Sequence, residues 1–313
     1  MKGKEYAVKR EKKKMQPGVK LFLATLPFLG MYFLFSYLPL EGWKYAFFDY
    51  KPGYSLADCE FVEFKYFAMM FNNPVTRRET IRVLTNTFIY SGIGILGSVL
   101  PMFFAIFLNE LPGKGMKKLI QTVTTVPHFV SWVLVYSLVF AMFSVETGAV
   151  NVLLRSLGLV EKGINFMASS EHVYLTMWLY GMWKGLGWSA IVYLAGINSI
   201  DQELYEAAAV DGAGRFHKMW YITIPGLMPT FVTLLLLSIG SFLSNGVDQY
   251  YVFQNAFNRS KIEGLDLYVY NLGLGSGNIP YSTAIGILKS LVGLALLFLS
   301  NGVSGKVRGE KIL

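Results

Sequence analysis

One cysteine, Cys59, in 313 residues leaves no internal disulfide and no thiolate cluster for zinc or iron–sulfur chemistry. Histidine is nearly as scarce: His128, His172 and His217 stand far apart, without the spacing of metal ligands. Charge is thin too. Asp, Glu, Lys and Arg make up 15% of the chain, against about 25% in an average soluble domain. No Asp or Glu falls in the middle of any long apolar run, which argues against a self-sufficient transporter driven by protons or sodium through intramembrane carboxylates. A Gly-x-x-x-x-Gly-Lys-Ser/Thr phosphate loop is missing as well. Gly113-Lys114-Gly115 is a short loop, and Gly273, Gly275 and Gly277 lack the lysine and the strand-to-helix setting. No nucleophile–base pair of recognisable spacing marks a membrane enzyme. The chain is expected to bind no cofactor of its own.

What the sequence has in quantity is apolar length. Hydrophobic residues make up 53% of it, and the mean hydropathy is +0.43. They come in blocks, as in membrane spans. Six stretches, 21–40, 86–109, 119–142, 173–198, 225–246 and 281–301, approach the roughly 20 residues that cross a hydrocarbon core. The expected fold class is an all-α membrane protein with six transmembrane helices, and an even count puts both termini on one side. Lys and Arg then set the orientation. The terminus side holds sixteen: eight in 1–20, three in 110–118, two in 199–224 and three in 302–313. The opposite loops hold ten: six in 41–85, two in 143–172 and two in 247–280. The excess makes both termini cytoplasmic. The run Lys12-Lys13-Lys14 abuts the first span, where it serves topology and lipid headgroups and not nucleic acid. The first apolar stretch ends without a small-x-small cleavage site, so it is expected to stay in the protein.

The segment between the fourth and fifth apolar stretches carries the most information. It reads Glu206-Ala207-Ala208-Ala209-Val210-Asp211-Gly212-Ala213, then Ile222-Thr223-Ile224-Pro225. Helix formers up to Asp211 followed by Gly212 and Gly214 predict a short helix, a sharp turn and a second short helix. Pro225 suits the first turn of the helix that follows. The spacing resembles the "EAA" loop of permease subunits in type I, binding-protein-dependent ABC importers: Glu-Ala-Ala, three residues, Gly, nine residues, Ile-x-Leu-Pro. Ile224 replaces the usual Leu. A subgroup serving pectin- and alginate-type oligosaccharides is similar over nearly the whole chain. Its matches include Gly42 to Gly53, Pro127 with Ser131-Trp132, Gly148-Ala149-Val150-Asn151, Trp183-Lys184 with Gly187-Trp188, and Ala284-Ile285-Gly286.

The resemblance implies a multi-pass subunit of a bacterial, Gram-positive cytoplasmic membrane. It would pair with a second, related permease, two ATPase subunits that bind ATP and Mg²⁺, and an extracellular solute-binding lipoprotein. Glu206, Ala207, Ala208, Asp211, Gly212, Ala213 and Pro225 would form the ATPase-coupling elbow. The chain divides into a basic tail (1–20), the first span with an aromatic-rich external loop (21–85), a five-helix core (86–305) containing the coupling loop (199–225), and a short tail (306–313).

A sugar path needs hydrogen-bonding groups and flat aromatic faces. Trp183, Lys184 and Trp188 form one candidate cluster, with the glycines between them suiting a bend beside a cavity. Asn245, Asp248, Gln249 and Tyr250 form a second, at the end of the fifth stretch, which reads equally as an interfacial belt. Lys289 lies inside the last stretch and reads more readily as a snorkelling or paired lysine. If Lys184 and Lys289 both faced the channel, they would favour acidic sugars.

Overall fold

The computed structural model describes residues 16–167 and 170–308. The expected basic tail therefore lies outside the described residues up to residue 15, and the last tail beyond residue 308 does as well. Among the described residues the chain is helical, with one isolated bridge between Phe48 and Phe61. Helix α1 (Pro17–Tyr32) starts on a proline, whose missing N–H costs nothing in a first turn. It runs on through a π turn (Phe33–Tyr37) and a 3-10 segment (Leu38–Phe47). None of its most apolar window is buried, so that stretch is offered to lipid or to another chain, while Ala46 near its end is buried in the bundle.

The following loop is short-tethered. Tyr66 on α2 (Lys65–Asn72) donates to Asp49 at 2.5 Å, and Lys65 lies 3.6 Å away. The Tyr66 hydrogen bond, ahead of the Lys65 charge, holds the Asp49 carboxyl below its ordinary range. Helix α3 (Pro74–Gly97) is capped by Asn73, whose side chain accepts from Val75 and Thr76. With α4 (Leu100–Glu110) it makes one helical rod of 37 residues. The apolar pattern began only at residue 86; the polar first turns, with Arg77, Arg78 and Arg82, extend the rod beyond it.

The expected third span is broken. Helix α5 (Lys114–Thr125) and a 3-10 turn (Val126–Phe129) meet α6 (Trp132–Phe143) at 106°. Pro127 withdraws one N–H there, and the Ser131 side chain starts α6 afresh by accepting from Leu134. A short helix, α7 (Ala149–Ser156), follows. The buried Asn151 holds the loop around it through bonds to Ser144 O, Ile164 O and Ile164 N.

Helix α8 (Val173–Asn198) is the central post, packed by α3, α4, α5 and α11. Beyond it come α9 (Gln202–Val210), α10 (Arg215–Lys218), a π turn (Met219–Thr223) and α11 (Ile224–Gly240). Three short helices, α12 (Asp248–Phe253), α13 (Arg259–Ile262) and α14 (Leu265–Tyr270), lead to α15 (Ile279–Arg308). Among the described residues four helices are long and apolar enough to cross a membrane, or five if the bent pair is one span. The remaining expected span, α8, has 26 residues, ~39 Å of helix. Its Trp, Tyr and Gly residues keep it below the apolarity of the others, which a helix sheathed by protein can tolerate. Buried Ala190, Tyr193, Leu194 and Ile197 join α8 to Met102, Ala105 and Ile106 of α4. At the other end of the bundle, Val83, Leu243, Leu265, Tyr281 and Ile285 form a second core.

Candidate functional site

The elbow is built as its sequence dictates. Asp201 caps α9 by accepting from Glu203 N at 3.0 Å. At the other end Ala213 N donates to Ala208 O at 2.8 Å and Gly212 N to Ala209 O at 3.1 Å. These are the paired bonds of a Schellman stop, with Gly212 at φ +76° in the left-handed position it requires. The motif glycine is thus a conformational necessity. Gly212→Val is expected to cost ~1–2 kcal/mol of elbow stability. Faster amide exchange confined to α9 would show it, and unchanged exchange would contradict it.

Glu206, Ala207, Asp211 and Gly212 lie exposed, while Ala208 and Ala213 are half-buried. Val210 is 89% and Phe216 81% exposed, so the elbow presents bare apolar surface beside its carboxylates. Two contacts fasten it to the next helix. Tyr205 Oη lies 2.9 Å from the Oγ1 of buried Thr223, inside the π turn. Ile200 packs against the face of Gly226, where even an added Cβ would collide with it. Pro225 opens the α-helical stretch as expected, but the chain is already helical from Arg215. The π turn just ahead of the proline absorbs its ring and missing donor.

The same helix lines a cavity at its other end. A cleft of about 440 Å³ opens between α3, α8 and the end of α11, with Ser91, Trp178, Gly185, Ser189, Ser238 and Ser241 in the wall. Asn245, Gln249 and Tyr250 complete it. A second space of about 390 Å³ shares Ser98, Ser189, Ser238 and Ser241 and continues past Tyr193 and Leu234. Together they form one cleft along α8. Asn245 donates to Ser91 Oγ at 2.9 Å, and Gln249 to Met177 O at 2.6 Å. Tyr250 packs on Tyr90 with ring centroids 4.7 Å apart. The Trp178 Nε1 and Asn245 Oδ1 atoms are buried without a hydrogen-bond partner.

The other sequence candidates sit elsewhere. Lys184 donates to His128 O at 2.5 Å, in the broken stretch between α5 and α6, and its ammonium lies 5.5 Å from the Trp132 ring centroid. Trp188 stacks on His128 at 4.4 Å, and Trp183 is 47% exposed. Helix α8 does not break at its glycines. Gly185 borders the cavity, and Gly187 lets the Thr124 backbone approach where any Cβ would clash. Lys289 pairs with Asp266, which also accepts from Gly246 N at 2.8 Å. Asp248 is exposed in the first turn of α12. Sequence reasoning missed the cavity serines and Trp178. Ser91 and Ser98, and Ser238 and Ser241, each recur on one helical face inside apolar runs, and that spacing was the available signal.

The elbow lies at one end of a long apolar helix and the cleft at the other, in a bundle whose helices are long and apolar enough to cross a membrane. Residues 97–309 match the family described as the inner membrane component of binding-protein-dependent transport systems, and the chain belongs to that family. It is 40% identical over 291 residues to the protein LplB of Bacillus subtilis, covering 93% of this chain and 90% of that one. It is 39% identical over 293 residues to YteP of the same organism, a polygalacturonan/rhamnogalacturonan transport system permease, covering 93% and 89%. Among solved structures, a bacterial ABC transporter involved in the import of the acidic polysaccharide alginate superposes with a TM-score of 0.81. That chain is 31% identical, with coverage of 93% and 96%. The alginate transporter bound to its pentasaccharide-loaded periplasmic protein gives 0.82 at 30% identity, covering 97% and 100%. The fold is that of an ABC importer permease.

Proposed function

We propose that this chain is one of two related permeases through which an ATP-driven importer moves an oligosaccharide released from a plant or algal polysaccharide. The chain crosses the cytoplasmic membrane of a Gram-positive bacterium six times, with both termini inside. It catalyses no reaction itself. Two ATPase subunits hold ATP and Mg²⁺, and an extracellular lipoprotein delivers the sugar. Glu206, Ala207, Ala208, Asp211, Gly212 and Ala213 seat the elbow in an ATPase cleft, and Pro225 lies at the joint. The sugar passes along the cleft beside Asn245, Gln249 and Tyr250. Trp183, Lys184 and Trp188 support the break in the third span, and Asp248 and Lys289 hold the outer end.

One observation carries this reading: the helix clamped to the elbow by Tyr205 and Thr223 is the one whose far end, Ser238 and Ser241, walls the cleft. ATPase closure that moves the elbow therefore tilts the cleft wall, a rocking of packed helices. In reconstituted complexes, Tyr205→Phe is expected to leave ATP hydrolysis intact and lower sugar moved per ATP roughly 2- to 10-fold, the effect of losing a bond worth ~0.5–1.5 kcal/mol. An unchanged ratio would show that the clamp transmits nothing.

A further inference from the structure

The cleft contains no Lys, Arg, Asp, Glu or His among its lining residues; its polar groups are serine hydroxyls, the amides of Asn245 and Gln249, three tyrosines and an indole N–H. Both cations of the last and fourth expected spans are committed away from it. Lys184 is taken by the His128 carbonyl and the Trp132 ring, and Lys289 by Asp266. From this lining we propose that the transported sugar is an uncharged oligosaccharide, recognised in the cleft by its hydroxyl groups. The inference rests on the cleft being the sugar path, and it separates this chain from the alginate importer, whose cargo is acidic.

An ionised carboxylate only accepts, and it finds no cation among these lining residues. Burying a carboxylate unpaired is among the costliest steps in a low-dielectric site. Serine hydroxyls, by contrast, turn to donate or accept as needed. Ser91, Ser98, Ser189, Ser238 and Ser241 thus give a moving sugar a succession of replaceable partners along the cleft.

The test is binding to the purified permease–ATPase complex without its lipoprotein, so that the lipoprotein's own selectivity does not enter. The probes are a neutral galactotriose and trigalacturonate, which differ in a hydroxymethyl or a carboxylate at C6, each titrated by calorimetry. Galactotriose is expected to bind at least tenfold more tightly. Ser238→Arg, which places a cation in the wall, is expected to reverse the order. Equal or tighter binding of trigalacturonate to the unaltered complex would overturn the inference while leaving the path in place. Binding that survives both Trp178→Phe and Asn245→Ala undiminished would instead overturn the path, and the inference with it.

Discussion

Complexes carrying Glu206→Lys are expected to reach the membrane in normal amount and to lose sugar uptake at least tenfold. Glu206 stands exposed on the middle of α9, on an elbow whose neighbours are alanines. Small side chains allow another protein's backbone to approach closely, so the carboxylate would be the specific element of the contact. Removing one partner of a docked charge pair costs about 2–5 kcal/mol, and 1.4 kcal/mol is already tenfold in affinity. Nothing in the bundle depends on this side chain, so folding and insertion should be unaffected. The check is uptake of radiolabelled oligosaccharide by membrane vesicles, together with the amount of ATPase retained on the purified variant. Normal values of both would make α9 an ordinary connector.

The second large effect concerns the opposite end of the bundle. Glu263 is fully buried, with Arg82 at 2.7 Å on one oxygen and Asn271 at 2.8 Å on the other. Arg82 also reaches Glu79 at 2.6 Å and the carbonyls of Arg259 and Ser260. Asn86 adds bonds to Ser260 O and Glu263 O. One arginine thus ties α3 to the whole segment between α13 and α14. Arg82→Ala would leave the buried carboxylate only Asn271 and the longer 3.6 Å pairing with the exposed Arg259, and breaking the close pair is expected to destabilise by about 3 kcal/mol. Thermal unfolding in detergent should show a large fall in midpoint for Arg82→Ala. A substantial part should return in the double variant with Glu263→Gln, which removes the poorly compensated charge. A single variant as stable as the parent would mean that the buried pair fastens nothing.

The elbow was the most legible part of the sequence because its physics is local. A capped helix, a glycine forced to positive φ and a proline after it leave their marks within 25 residues of chain, from Asp201 to Pro225. Helix α8 was legible as a helix with its observed bounds, since its apolar run is long. The break at Pro127 was not, because apolar residues continue on both sides and the bend is fixed by Lys184 from another helix. The partners of the lysines were hidden for the same reason. An intramembrane charge signals that a partner exists, yet neither the His128 carbonyl nor Asp266 is near its lysine in sequence. The cleft was the least legible, since single serines in apolar helices look neutral until the fold brings three helices together.

Isolating this chain from its native membrane in mild detergent, with its companions identified by mass spectrometry, tests the central claim most directly. A second related permease and a P-loop ATPase in stable ratio with it is the expected result. A chain that purifies alone, and moves sugar across vesicles alone without ATP, would contradict the account and leave the elbow without a function.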